Sequence, residues 1–473
     1  MAGTFILGET KVRPGTYFNI QKKEESGEGI LEGVTAVLFR ADFGPLNTVV
    51  ELKAGEPWEK IFGNGLTTDA IGEALEGGAR TVLACRIGNG GTPATVALHD
   101  TEGTEAVVIS VNYPGDKDFS VSVREKLSDS TRKECLIYSG TREFEKLEFA
   151  AGEGEAERLV SALNAMEHFH GELTEGKEKA LLAAVSQEPF AGGSNPQVTA
   201  EDYSNGFAQT EAWEFNTICV DTEDQEIHLL LAAFVNRMFE EGLPAQAVVA
   251  ENHTVPLETR QNHAAAFNNE KMNYVLNAHM MELGKDGQER EIDGYRTAAR
   301  IAGMIGATPS GQSLTHTVVE GFTEILEKLT NSQMIHAESK KGCIVFSHNR
   351  EKKVWIDNAI NTLITPADNQ DDGWKKIRRV ATRFELLRRL NAAVEELVGK
   401  TDNDSNGRST IVSRMNDIGT AMVEESKLTA FKASESSTYP ADVDSAWFDI
   451  SVTDKDSMER IYLTYQFQFS TNE

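Results

Sequence analysis

Ten consecutive residues near the end of this chain alternate bulky and polar side chains: Arg460-Ile461-Tyr462-Leu463-Thr464-Tyr465-Gln466-Phe467-Gln468-Phe469. Period 2 over that length predicts a β-strand. Its main-chain donors and acceptors need a sheet edge, in its own chain or in another. The opposite end reads similarly. Thr4 to Leu7 and Val12 to Ile20 are strand-like, split by the turn signal Arg13-Pro14-Gly15. Residues 21–29 then form a polar, glycine-containing linker with nothing to bury. A body with an extended arm at each end is the first expectation.

The body has material for about three domains, since the chain has 473 residues. Acidic residues number 74 against 46 basic ones, a formal net charge of −28. A surface so negative repels phosphates, so nucleic acid and anionic membranes are poor partners. No apolar run approaches the roughly 20 residues that span a bilayer. The first residues lack the basic stretch and cleavage pattern of a signal peptide. Cys85, Cys135, Cys219 and Cys343 are scattered without metal-ligand spacing and read as reduced, buried thiols of a protein made in the cytosol.

Within the body, Gly33–Phe39, Thr48–Leu52 and Thr81–Cys85 read as strands, with a helix starting near Pro57. From 93 to 150 the texture changes to short alternating strands, among them Glu105–Val111, a segment in which Phe119, Val121 and Val123 alternate with polar residues, and Glu134–Tyr138. This predicts an antiparallel β-domain, left through a helix over Glu155–Met166. Residues 183–342 alternate strands and helices. Phe215–Val220, a helix opened by a capping box of Thr222 and Gln225, and Ala245–Ala250 make a βαβ unit with a parallel strand pair. Cys343–Phe346 and Val354–Ile356 read as further short strands. A long helix follows from 374, with Ile377, Val380, Phe384, Leu387 and Val394 as its apolar seam. It is the one basic feature of the chain: Lys375, Lys376, Arg378, Arg379, Arg383, Arg388 and Arg389 are opposed only by Glu385. Either these cations neutralise acidic surface of their own chain, or they dock an acidic partner.

No catalytic or metal constellation emerges. Gly88-Asn89-Gly90-Gly91 follows a strand, but no helix N-terminus follows it to receive a phosphate. Asp402, Asp404, Asn406 and Gly407 match the first half of an EF-hand loop, yet Ser413 stands where the bidentate Glu belongs. His168 and His170 have no third ligand at metal spacing. Val220-Asp221-Thr222-Glu223 faintly resembles the stretch around a subtilase aspartate, but Glu223 replaces its Gly. No nucleophile motif accompanies it, and His170 precedes Asp221 against the subtilase order. A degenerate subtilase-like hydrolase is the alternative this leaves.

Motifs spread along the chain, in order, resemble those of contractile phage tail sheath proteins, most closely the branch found in Gram-positive prophages and phage-tail-like bacteriocins. They are Lys11-Val12-Arg13-Pro14-Gly15-Thr16-Tyr17, Asp42-Phe43-Gly44-Pro45-Leu46-Asn47 with Phe43 for the usual Trp, and Tyr113-Pro114-Gly115. The most specific runs from Gly192-Gly193-Ser194-Asn195 through Val198-Thr199-Ala200-Glu201-Asp202-Tyr203 to Phe215-Asn216. Ala302-Gly303-Met304 with Ser313-Leu314-Thr315, Ile360-Asn361-Thr362-Leu363, and Gly399, Asn403 and Gly407-Arg408 complete the set.

The resemblance implies a mixed α/β and α+β multidomain fold. An N-terminal arm and linker (1–32) would lead into an α/β domain (33–92 with 183–342) of subtilisin-like, non-catalytic topology, carrying an inserted β-domain (93–182). A C-terminal α+β domain (343–457) and a C-terminal arm strand (458–473) would follow. It implies a structural subunit rather than an enzyme, with no cofactor and no metal. Its partners would be further copies of itself in a helical polymer, a tail tube protein, and baseplate and tail terminator proteins, in a virion tail or bacteriocin particle assembled in a bacterial cytoplasm. Arm strands carrying Val12, Pro14, Tyr17 and Phe18, and Ile461, Tyr462, Leu463, Tyr465 and Phe467, would join neighbouring subunits. Lys375, Lys376, Arg379 and Arg383 would face the tube.

Overall fold

The computed structural model of the chain describes residues 2–4, 16–18, 30–284 and 286–468. Its centre is a seven-stranded sheet. The strands run in the order Cys343–Ile344, Met272–Val275, Gln246–Val249, Thr217–Val220, Val34–Phe39, Thr81–Arg86 and Val49–Lys53. All neighbours are parallel except the last pair. These strands are short apolar runs because both faces are covered. Val37, Phe39, Cys219 and Val248 point into one core. Ala36, Leu38, Ile218, Val220, Ala247 and Val249 point into the other. Helices Asp69–Glu76 and Gly294–Ala307 close the first face, and there a Cβ on Gly303 would lie 2.1 Å from the Ala74 carbonyl oxygen. The expected βαβ unit is present, with its helix over Gln225–Glu240. The helix is capped by Asp224, which accepts from Glu226 N–H, because the Thr222 hydroxyl accepts from Asp224 N–H instead.

A β-layer is built by the segment between Thr81–Arg86 and Thr217–Val220. It holds a four-stranded sheet (Arg142–Ala150, Asp129–Ser139, Phe119–Lys126, Val185–Pro189) and a three-stranded one (Phe169–Leu173, Glu105–Val111, Thr95–His99). Both sheets are antiparallel, and the helix Glu155–Leu163 packs with them around one core.

Several of the singled-out motifs meet at the neck between this layer and the central sheet. Gly88-Asn89-Gly90-Gly91 leads out and Gly192-Gly193-Ser194-Asn195 leads back. The two cross as paired chains, with bridges Asn89 to Gln197 and Thr92 to Ser194. Arg86 is fully buried at the end of its strand. Its guanidinium donates to the carbonyls of Ala41 (2.8 and 3.1 Å), Gly44 (2.6 Å) and Pro114 (2.7 Å), tying the Asp42–Asn47 turn to Tyr113-Pro114-Gly115. Gly115 must be glycine here, since a Cβ would lie 1.9 Å from the Asp42 carbonyl oxygen. Phe43 crosses into the β-layer core and meets Tyr113, Phe119 and Phe144 edge-on at 5.2–5.7 Å.

A second knot sits at the end of strand Thr217–Val220. Asp221 accepts hydrogen bonds from Arg40 N–H (2.9 Å), Arg40 Nε (2.8 Å), Thr67 Oγ1 and Tyr203 OH. Tyr203 is aimed by its helix, Ala200–Thr210, which a capping box of Thr199 and Asp202 starts. Burial, then the Asp221 charge, push the Tyr203 phenol up, which keeps it a donor.

The C-terminal unit comprises helices Ile377–Glu395 and Ser405–Glu424 and an antiparallel hairpin, Leu428–Glu435 with Phe448–Asp454. The EF-hand-like stretch is the N-cap of the second helix: Asp404 accepts from Gly407 N–H at 2.7 Å. The helix seam differs from expectation. Val380 is buried, Ile377 and Phe384 face the central body and Leu386 and Leu390 the hairpin, while Leu387 is exposed, because the helix lies between two cores.

Replacing Phe43 by Ala should destabilise the chain by about 3–5 kcal/mol in chemical denaturation, since it empties the peg of the neck. Tyr203→Phe should cost about 1–3 kcal/mol by leaving an Asp221 oxygen short of a donor. The same denaturation experiment reads both.

Candidate assembly interface

The expected interface residues lie at the two chain ends and on the long basic helix. Of the N-terminal set, Val12 and Pro14 lie outside the described residues. Tyr17 and Phe18 belong to the short strand Thr16–Phe18, which pairs in parallel with Ala2–Thr4.

At the other end, the hairpin of the C-terminal unit is a two-stranded sheet, so among the described residues both outer edges lack a neighbouring strand. The helix Ser405–Glu424 packs against the Leu428–Glu435 strand, around Met415, Met422, Leu428 and Ala433. On the Phe448–Asp454 strand, Ile450 and Val452 stay exposed, with Trp447 beside them. Past Asp454 the chain runs to residue 468 without regular secondary structure. The alternating segment thus forms no strand within its own chain over 460–468. Its apolar side chains stand in solvent: Tyr462 is 88% exposed and Phe467 85%, with Ile461, Leu463 and Tyr465 close behind. A run of large apolar residues this exposed, with free main-chain groups, is fitted to join a sheet.

The basic helix is far less free than its sequence suggests. Lys375 pairs with Asp372 at 2.8 Å, and Lys376 lies 2.8 Å from both Asp456 and Glu459. Arg379 and Arg383 both hold Asp454 and both reach Asp371. The hydrogen bond to Asp454 holds the Arg379 guanidinium above its ordinary range. Arg383 also lies over the Trp374 ring, 4.3 Å from its centroid. Arg389 pairs with Glu385 and Glu425, and Arg388 donates to the Phe215 and Pro244 carbonyls. Of the two sequence readings, neutralisation of the chain's own acids describes this geometry. Some of the opposing carboxylates come from 80 or more positions away, out of sight of a linear charge count.

The residues weighed for chemistry do not converge. Asp221 is held by Arg40, Thr67 and Tyr203. His170 stands on the β-layer strand Phe169–Leu173, 3.9 Å from Glu172. Glu73, Glu76 and Glu282 lie close enough to share an ion, but the Arg300 guanidinium already bridges all three.

Comparison with known proteins bears on the same architecture. Residues 196–362 match the phage tail sheath protein central domain. The phage-like element PBSX protein XkdK of Bacillus subtilis is 24% identical over 489 aligned residues, covering 98% of this chain and 99% of XkdK. The sheath tail protein of Desulfitobacterium hafniense superposes with a TM-score of 0.69 at 19% identity, over 93% of this chain and all of that one. The helical sheath protein of the anti-feeding prophage, in its contracted state, gives 0.53 at 9% identity over 97% and 99%. The chain is thus a mixed α/β multidomain protein whose residues 196–362 match the phage tail sheath protein central domain and whose fold resembles that of tail sheath proteins along nearly its whole length.

Proposed function

We propose that this chain is the structural subunit of a contractile tail sheath. Copies polymerise helically around a tail tube, and the array contracts when a baseplate triggers it, driving the tube through the envelope of a target cell. Tail terminator proteins would cap the far end. The particle, a phage tail or a headless bacteriocin, would assemble in the bacterial cytoplasm. The α/β domain keeps a subtilisin-like arrangement as scaffold, with Asp221 as a structural knot rather than a catalytic acid.

One observation carries this reading: among the described residues, 460–468 extend exposed and unpaired from a unit whose own two-stranded sheet has open edges. Exchange between copies would satisfy the donor arm and the acceptor edge of every chain together. Such contacts are heterologous, and where they do not close into a ring they generate a helical filament. Strand addition uses main-chain hydrogen bonds, so linked subunits can tilt and slide without separating. The arms of residues 1–32 and 458–473 would provide the added strands. The basic helix would face the tube, and since Lys375, Lys376, Arg379 and Arg383 are already paired within the chain, shape would contribute more to that contact than net charge.

Deleting 1–20 or 458–473 should leave soluble single subunits, while the full chain forms striated tubes in negative-stain microscopy; normal tubes from either truncation would sink the reading. Because each copy carries −28, tube formation should also rise with salt. Going from about 0.01 to 0.1 M shortens the Debye length from about 30 to 10 Å. Pelleting across that range should show it, and assembly unaffected by salt would remove charge from the account.

A further inference from the structure

Between the hairpin and the exposed arm lies a short segment, Asp454 to Glu459, with a different character from either. Past Asp454, the last residue of the hairpin, it forms no strand, and its main chain contributes Lys455 N–H to the Lys427 carbonyl at 3.3 Å. Side chains hold it, and nearly all of them reach one helix or the loop beside it. Asp454 accepts from Arg379 Nε (3.0 Å) and Arg383 Nε (2.9 Å). Asp456 and Glu459 share Lys376. Arg378 donates to the Ser457 hydroxyl at 3.0 Å and, through Nε, to the Gly311 carbonyl at 2.8 Å. Glu459 also accepts from Ser313 at 3.2 Å and Thr315 at 3.4 Å. One residue later the restraint ends, and from Ile461 onward the large side chains are exposed.

We propose that Asp454, Asp456 and Glu459, gripped by Lys376, Arg379 and Arg383, form an ionic latch that fixes where the C-terminal arm leaves the body. The arm swings about residues 459–460, and the latch keeps the swing from spreading back into the hairpin. The latch rests on the sheath reading for its use but not for its existence. Within that reading it has a mechanical consequence. A pull on the arm is delivered to the N-terminal half of the Ile377–Glu395 helix. Along the same helix, Arg388 bonds the carbonyls of Phe215 and Pro244, which lead into two central strands. Tension in a mesh of arms would therefore reach the central sheet through one rigid helix. Several partly buried pairs acting together also suit this role better than an isolated surface pair, whose contribution is small.

The test uses the full chain as a single subunit, with a nitroxide label on Met458→Cys or, separately, Thr464→Cys. The native cysteines are buried, so labelling is directed to the introduced thiol. Met458 is exposed although its neighbours are gripped, so a label there reports the latch without breaking it. The label at 458 should show a restricted spectrum and the label at 464 a mobile one. In the K376Q/R379Q/R383Q variant, 458 should become as mobile as 464, with the thermal transition of the body retained. In a charge-swapped chain, R379E/R383E with Asp454→Arg, restriction at 458 should return at least in part. A label at 458 already as mobile as 464 in the parent chain, or still restricted in the triple-Gln variant, would overturn the latch. Tube formation is scored separately by microscopy: a parent chain with a restricted 458 that forms no tubes would contradict the sheath reading and leave the latch standing.

Discussion

A strand-patterned segment that joins no sheet among the described residues is the constraint on which this molecule turns. Over residues 460–468 the main chain has no ladder and the alternating aromatic and aliphatic side chains have no core. Burial of apolar surface is worth roughly 25 cal/mol per Å². Several such side chains therefore represent a substantial free energy that the isolated chain forgoes. The same chain holds a hairpin whose two edges carry no further strand among the described residues, with Ile450 and Val452 exposed on it. Everything else in the structure can be seen as holding that pair in a defined relation.

That relation depends on rigidity at two joints. At the neck, buried Arg86 satisfies three loop carbonyls with one guanidinium while Phe43 is packed among aromatic rings, so the β-layer is fastened to the central sheet by a polar clamp and an apolar peg. At the sheet end, Asp221 gathers three separate segments onto one carboxylate. A buried charge is tolerated there only because it is fully hydrogen-bonded. The first joint fixes the β-layer, and the second the Tyr203 helix, against the central sheet.

How far the sequence disclosed this follows from the range of the interactions. The buried strands, the βαβ unit and the β-layer strands were legible because hydrophobic periodicity is local. The motif residues were legible as markers, but their roles were not: the glycine runs at 88–91 and 192–195 look like loops until they are seen to cross, a contact about 100 residues apart. Asp404 within its calcium-like loop proved to be a helix cap, a case where one residue pattern serves two purposes. The basic helix was the least legible. Its cations stand in one run, whereas three of their acidic partners, Asp454, Asp456 and Glu459, lie more than 70 residues downstream, so the linear pattern overstated its free charge. Leu387 was misplaced for a related reason, since one helix touching two cores has no single apolar seam.

The net charge of −28 then acquires a second meaning. It opposes the approach of identical copies, so in the proposed sheath the arm contacts would have to outweigh a long-range repulsion before a filament grows. In the proposed sheath those contacts are made between copies. The most direct measurement is a cryo-electron microscopy reconstruction of the assembled chain. It should show residues 461–467 as a strand in the sheet of Leu428–Glu435 and Phe448–Asp454 of a neighbouring copy. Arms folded back onto their own subunit, or left outside every sheet, would contradict it.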